Sequence, residues 1–70
     1  MTHKIMETVA TLYARNGSQI DIRKKHGYYT IWKNGKKIDG ANARSYKYAS
    51  FMAHNAIAMI HMGNRLITRD

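Results

Sequence analysis

The sequence predicts an α+β domain made of a helix, three antiparallel strands and a second helix, with both helices on one face of the sheet. Two observations favour this architecture: an Asn-Gly pair between two strand-like segments, and a long amphipathic segment bounded by helix-capping residues. The chain has 70 residues, enough for one small domain spanning residues 1–70. We expect residues 3–62 to form its core, and residues 65–69 to form either a short strand or a basic tail.

A β-hairpin is the clearest local prediction. The Asn34-Gly35 pair lies between two strand-like segments, Tyr28–Lys33 and Lys36–Asp39. Both residues of the pair tolerate the positive φ angles that a two-residue type I′ turn requires. A preceding strand, Gln19–Lys24, joins this hairpin through a turn that contains His26-Gly27. Because side chains alternate along a strand, one face of the sheet is predicted to carry Tyr28, Thr30 and Trp32.

The second helix is predicted to run from Ser45 to Met62. Ser45 is a favourable N-cap residue, Gly63 suits the position just after a helix, and the interior is rich in alanine and methionine. The apolar residues that recur at helical spacing are Ala49, Met52, Ala53, Ala56, Met59 and Ile60. The small alanines predict that this helix lies close to the sheet.

Residues 3–15 fit two interpretations. Ile5, Val9 and Leu12 recur at helical spacing, and the Asn16-Gly17 pair is suited to end a helix. The same stretch is rich in β-branched residues, and Asn16-Gly17 suits a hairpin turn into the next strand equally well. We expect the helix. The alternative fold is a four-stranded meander with one helix.

Positive charge dominates the composition. Twelve Lys and Arg residues against four Asp and Glu residues give a formal net charge of +8. Such an excess favours a polyanionic partner, and nucleic acid before an anionic membrane. No apolar run approaches the roughly 20 residues that cross a bilayer, so we expect no membrane partner and a cytoplasmic location.

The sequence predicts neither catalysis nor a metal or cofactor site. The chain has no cysteine, which excludes disulfides, thiolate metal sites and thiol nucleophiles. No carboxylate pair and no nucleophile–base spacing indicates an enzyme. His54 and His61 are seven residues apart on a predicted helix, too far to share one metal ion directly. We therefore expect a non-catalytic binding protein.

The start of the second helix carries a motif. The segment Ser45–Ser50 reads S-Y-K-Y-A-S, and further alanines follow it. It resembles the Ser-Lys-Lys-x-Ala-Lys motif of double-stranded-RNA-binding domains, although Tyr46 and Ser50 stand where the family has lysines. The resemblance covers mainly residues 29–57 and implies recognition of double-stranded or structured RNA by shape and phosphate contacts. The residues that it implies as RNA contacts are Lys4, Glu7, Thr8, Thr11, Lys24, Lys25, His26, Arg44, Ser45 and Lys47.

The sheet face opposite the predicted helices suggests a second kind of partner. Its predicted members are Tyr28, Thr30, Trp32 and Lys37. Aromatic residues beside cations are frequent at protein interfaces, and they also stack unpaired bases. The alternative function is therefore a small phage- or virus-type effector that binds and inhibits a host protein or nucleoprotein complex, as anti-CRISPR proteins do.

Overall fold

The computed structural model describes residues 6–69 and has an α+β fold in which one helix packs on an antiparallel sheet. The five strands lie side by side in chain order. The elements are β1 (Glu7–Tyr13), β2 (Gln19–Lys25), β3 (Tyr28–Lys33), β4 (Lys36–Ala43), α1 (Tyr46–His61) and β5 (Thr68–Arg69). Within residues 6–69 no helix is long and apolar enough to cross a membrane; α1 has 16 residues.

Two tight turns connect the central strands. Asn34 and Gly35 have φ angles of 50° and 84°, and His26 and Gly27 have φ angles of 52° and 78°. A type I′ turn requires positive φ at both central residues, and its twist matches that of the flanking strands. The hairpin predicted from the Asn-Gly pair is therefore confirmed, and the His-Gly pair forms a second turn with the same φ signs.

Residues 7–13 form strand β1, so the predicted first helix is wrong in the described part of the chain. The layout of three strands with two helices is wrong with it. Threonine and valine favour strands over helices, and β1 pairs an edge of β2 that would otherwise be open. A β-bulge between Thr8 and Ala10 breaks the period of two, which is why the apolar spacing resembled that of a helix. The alternative fold, a four-stranded meander with one helix, describes β1–β4 and α1, and β5 extends it.

Helix α1 has the caps that the sequence predicts. The Ser45 hydroxyl accepts a hydrogen bond from the Tyr48 amide at 3.2 Å, as an N-cap side chain does. At the other end Gly63 has a φ of 80°, and the amide of Asn64 donates to the Met59 carbonyl at 2.9 Å. This arrangement satisfies carbonyl groups that have no partner within the helix. The predicted limits of the helix are thus confirmed.

The core lies between α1 and one face of the sheet. Ile20, Ile22 and Ile31 project from the central strands and are at most 1% exposed. The helix meets them with alanines, whose small side chains allow close approach of helix and sheet. The buried apolar residues of this layer are Ile20, Ile22, Ile31, Ile38, Ala41, Ala43, Ala49, Ala53 and Ala56.

Strand β4 bends at Gly40, which has a φ of 77°. Its pairing with β3 changes register in this region, so Ile38 and Ala41, three residues apart, both reach the core. Strand β5 pairs with the outer edge of β4. Of the two predictions for residues 65–69, the short strand is therefore confirmed for residues 68 and 69.

Candidate nucleic-acid interface

The sheet surface on the side away from α1 is called the open face below. No element among residues 6–69 packs over it as a second layer, because α1 lies on the opposite side. Residues paired across neighbouring strands share a face, so the register identifies its members. They are Thr8, Thr11, Tyr13, Gln19, Asp21, Arg23, Lys25, Tyr28, Thr30, Trp32, Lys37, Asn42 and Arg69, with Arg44 directly after β4.

A buried carboxylate organises the centre of the open face. Asp21 is 3% exposed, although it lies on the side of the sheet without a helix. Its oxygens accept hydrogen bonds from the Thr11 hydroxyl at 2.9 Å, from the Gln19 amide at 3.1 Å and from the Arg23 guanidinium at 3.2 Å. Three donors compensate the cost of removing a carboxylate from water. Asp21 therefore holds three side chains of the open face in place.

The Arg23 guanidinium is also fixed by an aromatic ring. Its central carbon lies 4.3 Å from the ring centroid of Trp32, a distance typical of a cation–π contact. The indole N–H of Trp32 donates to the Thr30 hydroxyl at 2.8 Å, which fixes the ring in turn. The buried Nε of Arg23 has no hydrogen-bond partner among the described residues. A cation held in one orientation loses little conformational entropy when an anion binds to it.

A second arginine is held in the same way near the β2–β3 turn. Arg44 donates to the Tyr28 hydroxyl at 3.1 Å, and its central carbon lies 5.2 Å from the Tyr28 ring centroid. Lys25 pairs directly with Tyr28 across the hairpin. Arg44, Lys25 and Tyr28 are all exposed. This end of the open face therefore presents two cations to solvent.

Asp21 on the open face and Asp39, two residues after its member Lys37 in β4, are both neutralised by partners. Asp21 forms an ion pair with Arg23, and Asp39 of β4 forms an ion pair with Arg69 at 2.9 Å. The remaining cations of the open face, Lys25, Lys37 and Arg44, leave the surface positive, in keeping with the net charge of +8. The open face thus suits an anionic partner.

The structure brings four residues of the first predicted contact set and all four of the second together on one surface. The members of both sets that lie on the open face are Thr8, Thr11, Lys25, Arg44, Tyr28, Thr30, Trp32 and Lys37. The first four come from the set implied by the resemblance, and the last four from the predicted aromatic face. A meander places them side by side, which the expected first helix would not have done.

The other residues implied by the resemblance lie elsewhere. Lys24 projects on the helix side of the sheet, with its amine 5.5 Å from the Tyr29 ring centroid, and Glu7 pairs with it across β1 and β2. Ser45 caps α1, and Lys47 lies on the exposed side of that helix. His26 lies in the β2–β3 turn, and Lys4 is outside the described residues. The residues implied as RNA contacts therefore do not share one surface; in β1, where a helix was expected, a strand places Glu7 and Thr8 on opposite faces.

Six members of the open face were not predicted as site residues: Tyr13, Gln19, Asp21, Arg23, Asn42 and Arg69. For the three in β2, the signal was present, since the apolar alternation of Ile20 and Ile22 places residues 19, 21 and 23 on the other face. Asn42 lies beyond the bulge at Gly40, and alternation counted from the Asn-Gly turn assigns it to the wrong face. Arg69 required knowledge that the C-terminal segment pairs with β4.

Within residues 6–69, no group of three or more histidine or acidic side chains is arranged to hold a metal ion. No protein-family model matches the chain, and neither a curated protein nor a solved structure matches it.

Proposed function

We propose that this chain is a non-catalytic nucleic-acid-binding protein whose open face lies against a double helix. The observation that carries the proposal is that one uncovered sheet surface holds five cationic side chains with hydroxyl, amide and aromatic groups between them; the cations are Arg23, Lys25, Lys37, Arg44 and Arg69. Contacts to phosphates supply much of the affinity for nucleic acid, and arginine, lysine, threonine, asparagine and glutamine all make them.

A double helix suits the open face better than an unpaired strand. Unpaired bases bind by stacking on free aromatic faces. Arginine side chains already lie against two of the three aromatic rings of the open face, 4.3 Å from the Trp32 centroid and 5.2 Å from the Tyr28 centroid. The third ring, Tyr13, lies alone on the edge strand β1. Strands β1–β4 together span about 14 Å at the usual strand spacing. That width suits a groove and the phosphates that border it.

Among double helices, the geometry favours B-form DNA. Its major groove is about 12 Å wide and admits a two-stranded ribbon, whereas side chains do not read the deep, narrow major groove of A-form RNA. The β2–β3 hairpin lies at the centre of the sheet, between β1 and β4, and it carries Arg23, Lys25 and Thr30 on its open side. Part of the expected RNA contact, through Glu7, Thr8 and Thr11, required an N-terminal helix, and residues 7–13 form a strand. We therefore propose duplex DNA in place of duplex RNA.

Fluorescence anisotropy with a labelled duplex of about 16 base pairs tests this function. The same sequence is titrated as duplex DNA, duplex RNA and single-stranded DNA, each at two salt concentrations. We expect the tightest binding for duplex DNA, with a slope of log affinity against log salt near −4 for about four or five phosphate contacts. Equal affinity for all three would contradict recognition of duplex shape, because charge attraction alone would then account for the binding.

A pair of charge-matched variants locates the interface. The test variant, Lys25→Ala with Arg44→Ala, removes two exposed cations of the open face; the control, Lys47→Ala with Arg65→Ala, removes two exposed cations elsewhere. The test variant should bind at least about tenfold more weakly and reduce the salt slope by about 2. The control should keep the slope. Equal losses in both variants would exclude the open face as the interface.

A protein target is the second candidate, because the open face also exposes aromatic side chains. Tyr13 is 66% exposed and Tyr28 is 47% exposed, and tyrosine is enriched at protein interfaces. Capture from a host lysate, with and without nuclease, separates the two functions. A protein retained after nuclease treatment, and lost on Tyr28→Ala substitution, would favour the effector.

A further inference from the structure

The outer side of α1 carries a row of exposed residues with heptad spacing. Its members, called the seam below, are Tyr48, Phe51, Asn55, Ala58 and Met62, the last directly after the helix. The intervals of three, four, three and four residues are those of the contacting positions in a helix pair. At about 100° per residue, the seam is centred about 150° from the buried alanines. It therefore points away from the sheet.

The seam is apolar and uncovered within the described residues. Phe51 is 64% exposed, Tyr48 is 54% exposed and Met62 is 72% exposed. The rings of Tyr48 and Phe51 lie nearly parallel, with centroids 6.0 Å apart, so they form one continuous surface. Small monomeric proteins rarely expose so much apolar side chain in one row.

We propose that the seam binds a second copy of this chain, with the two α1 helices packed antiparallel. In that orientation Phe51 of one copy lies over Ala58 of the other, and Tyr48 lies over Met62. Each large side chain thus faces a smaller or flexible one, and Asn55 faces its own counterpart at the two-fold axis. A seam that is complementary to itself in this way identifies a second copy as its occupant.

The size and chemistry of the seam agree with a symmetric dimer. Covering its exposed side chains would bury on the order of 500 Å² per copy, near the lower limit for a specific interface of about 1,000 Å² in total. A lone asparagine among apolar seam positions is the arrangement that fixes register in helix pairs. Helix α1 contains no acidic residue, so it has no side chain that would attract a basic partner or repel an acidic one.

The dimer has one consequence that rests on the proposed function. Because the seam and the open face lie on opposite sides of the domain, the two open faces of the dimer point away from each other. Such a dimer holds two separate duplexes, one on each side, and cannot place both open faces on adjacent half-sites of one straight duplex.

Sedimentation equilibrium of the full chain tests the dimer without nucleic acid. We expect a species of twice the chain mass of 8.1 kDa. The dimer fraction should rise with salt, because salt screens the repulsion between two chains of charge +8. Nucleic-acid binding, in contrast, weakens with salt. Because the two equilibria respond to salt in opposite directions and the dimer is measured without nucleic acid, failure of the dimer is distinguishable from failure of the proposed function. A monomer at millimolar concentration in high salt would overturn the proposal.

Substitutions on the exposed side of α1 separate the seam from its neighbours. Phe51→Glu should weaken the dimer by about 30-fold or more, as loss of a central aromatic contact does. His54→Glu, also exposed but off the seam, serves as the control. Circular dichroism confirms that each variant is folded. Equal weakening by both variants would contradict the seam as the contact.

The absence of native cysteine allows a direct test of orientation. Tyr48→Cys and Met62→Cys variants are mixed and oxidised. An antiparallel pair predicts the mixed disulfide between the two variants in preference to either homodisulfide. Homodisulfides in preference to the mixed product would overturn the antiparallel arrangement.

Discussion

Replacing the buried carboxylate of the open face should lower the stability of the domain and increase the contribution of Arg23 to DNA binding. Asp21→Asn keeps the shape of the side chain and one acceptor oxygen, but removes the charge that receives the Arg23 and Gln19 hydrogen bonds. Hydrogen bonds to charged groups contribute about 1.5–3 kcal/mol each, and the asparagine amide would point a donor at a guanidinium donor. The Arg23 side chain is 26% exposed, so water replaces part of the loss. We expect a net destabilisation of about 2 kcal/mol.

That loss is large for this chain. A domain of 70 residues has a free energy of unfolding of roughly 4–10 kcal/mol. Urea unfolding followed by the fluorescence of the single tryptophan, Trp32, which contacts Arg23, measures the change. With an m-value near 1 kcal/mol/M, the midpoint should fall by about 2 M.

Asp39→Asn is the matched control for Asp21→Asn. Asp39 also pairs with an arginine, but its side chain is 44% exposed and that of Arg69 is 71% exposed. Exposed ion pairs contribute about 0–1 kcal/mol, so the midpoint should move by less than half as much. Equal shifts in the two variants would refute Asp21 as the anchor of the open face.

Under the proposed function, Asp21→Asn should also steepen the salt slope of DNA binding by about 1, because Arg23 is released from its carboxylate.

Three further expectations concern local structure. Ser45→Ala should destabilise the domain by about 1 kcal/mol, seen as a lower thermal midpoint, because the Tyr48 amide loses its acceptor; unchanged stability would contradict the cap. Gly40→Ala should cost about 1 kcal/mol in urea unfolding although nothing lies within 4 Å of the added Cβ, because its φ of 77° disfavours alanine. Ile22→Ala should cost about 2–5 kcal/mol by the same measurement, since Ile22 is 1% exposed in the centre of the core; a loss below 1 kcal/mol would place the core elsewhere.

The parts of the fold that depend on local residues could be predicted from the sequence. The Asn34-Gly35 turn and the caps of α1 depend on conformations that only a few residue types adopt easily, and the structure has them at these positions. The alternation that buries Ile20 and Ile22 is also a local property. These features allowed the aromatic half of the open face to be predicted.

The remaining parts depend on contacts between distant segments. Residues 7–13 are a strand because they pair with the edge of β2. The bulge between Thr8 and Ala10 interrupts the alternation of side chains, so the strand pattern was not visible in the sequence. The register change around Gly40 moved Asn42 onto the open face, and β5 exists only because β4 presents an edge to residues 68 and 69. No pattern within one segment carries this information, so several of the predicted contact residues lie away from the open face.

A titration of isotope-labelled protein with duplex DNA, followed by NMR, shows whether the open face is the surface that contacts the duplex. Three side-chain groups serve as probes of the open face: the indole N–H of Trp32 and the amide groups of Gln19 and Asn42. The side-chain amide of Asn55, on the far side of α1, is the internal control. If DNA binds the open face, the first three signals shift on addition of DNA while that of Asn55 does not. A shift of the Asn55 signal with the indole unmoved would contradict binding at the open face.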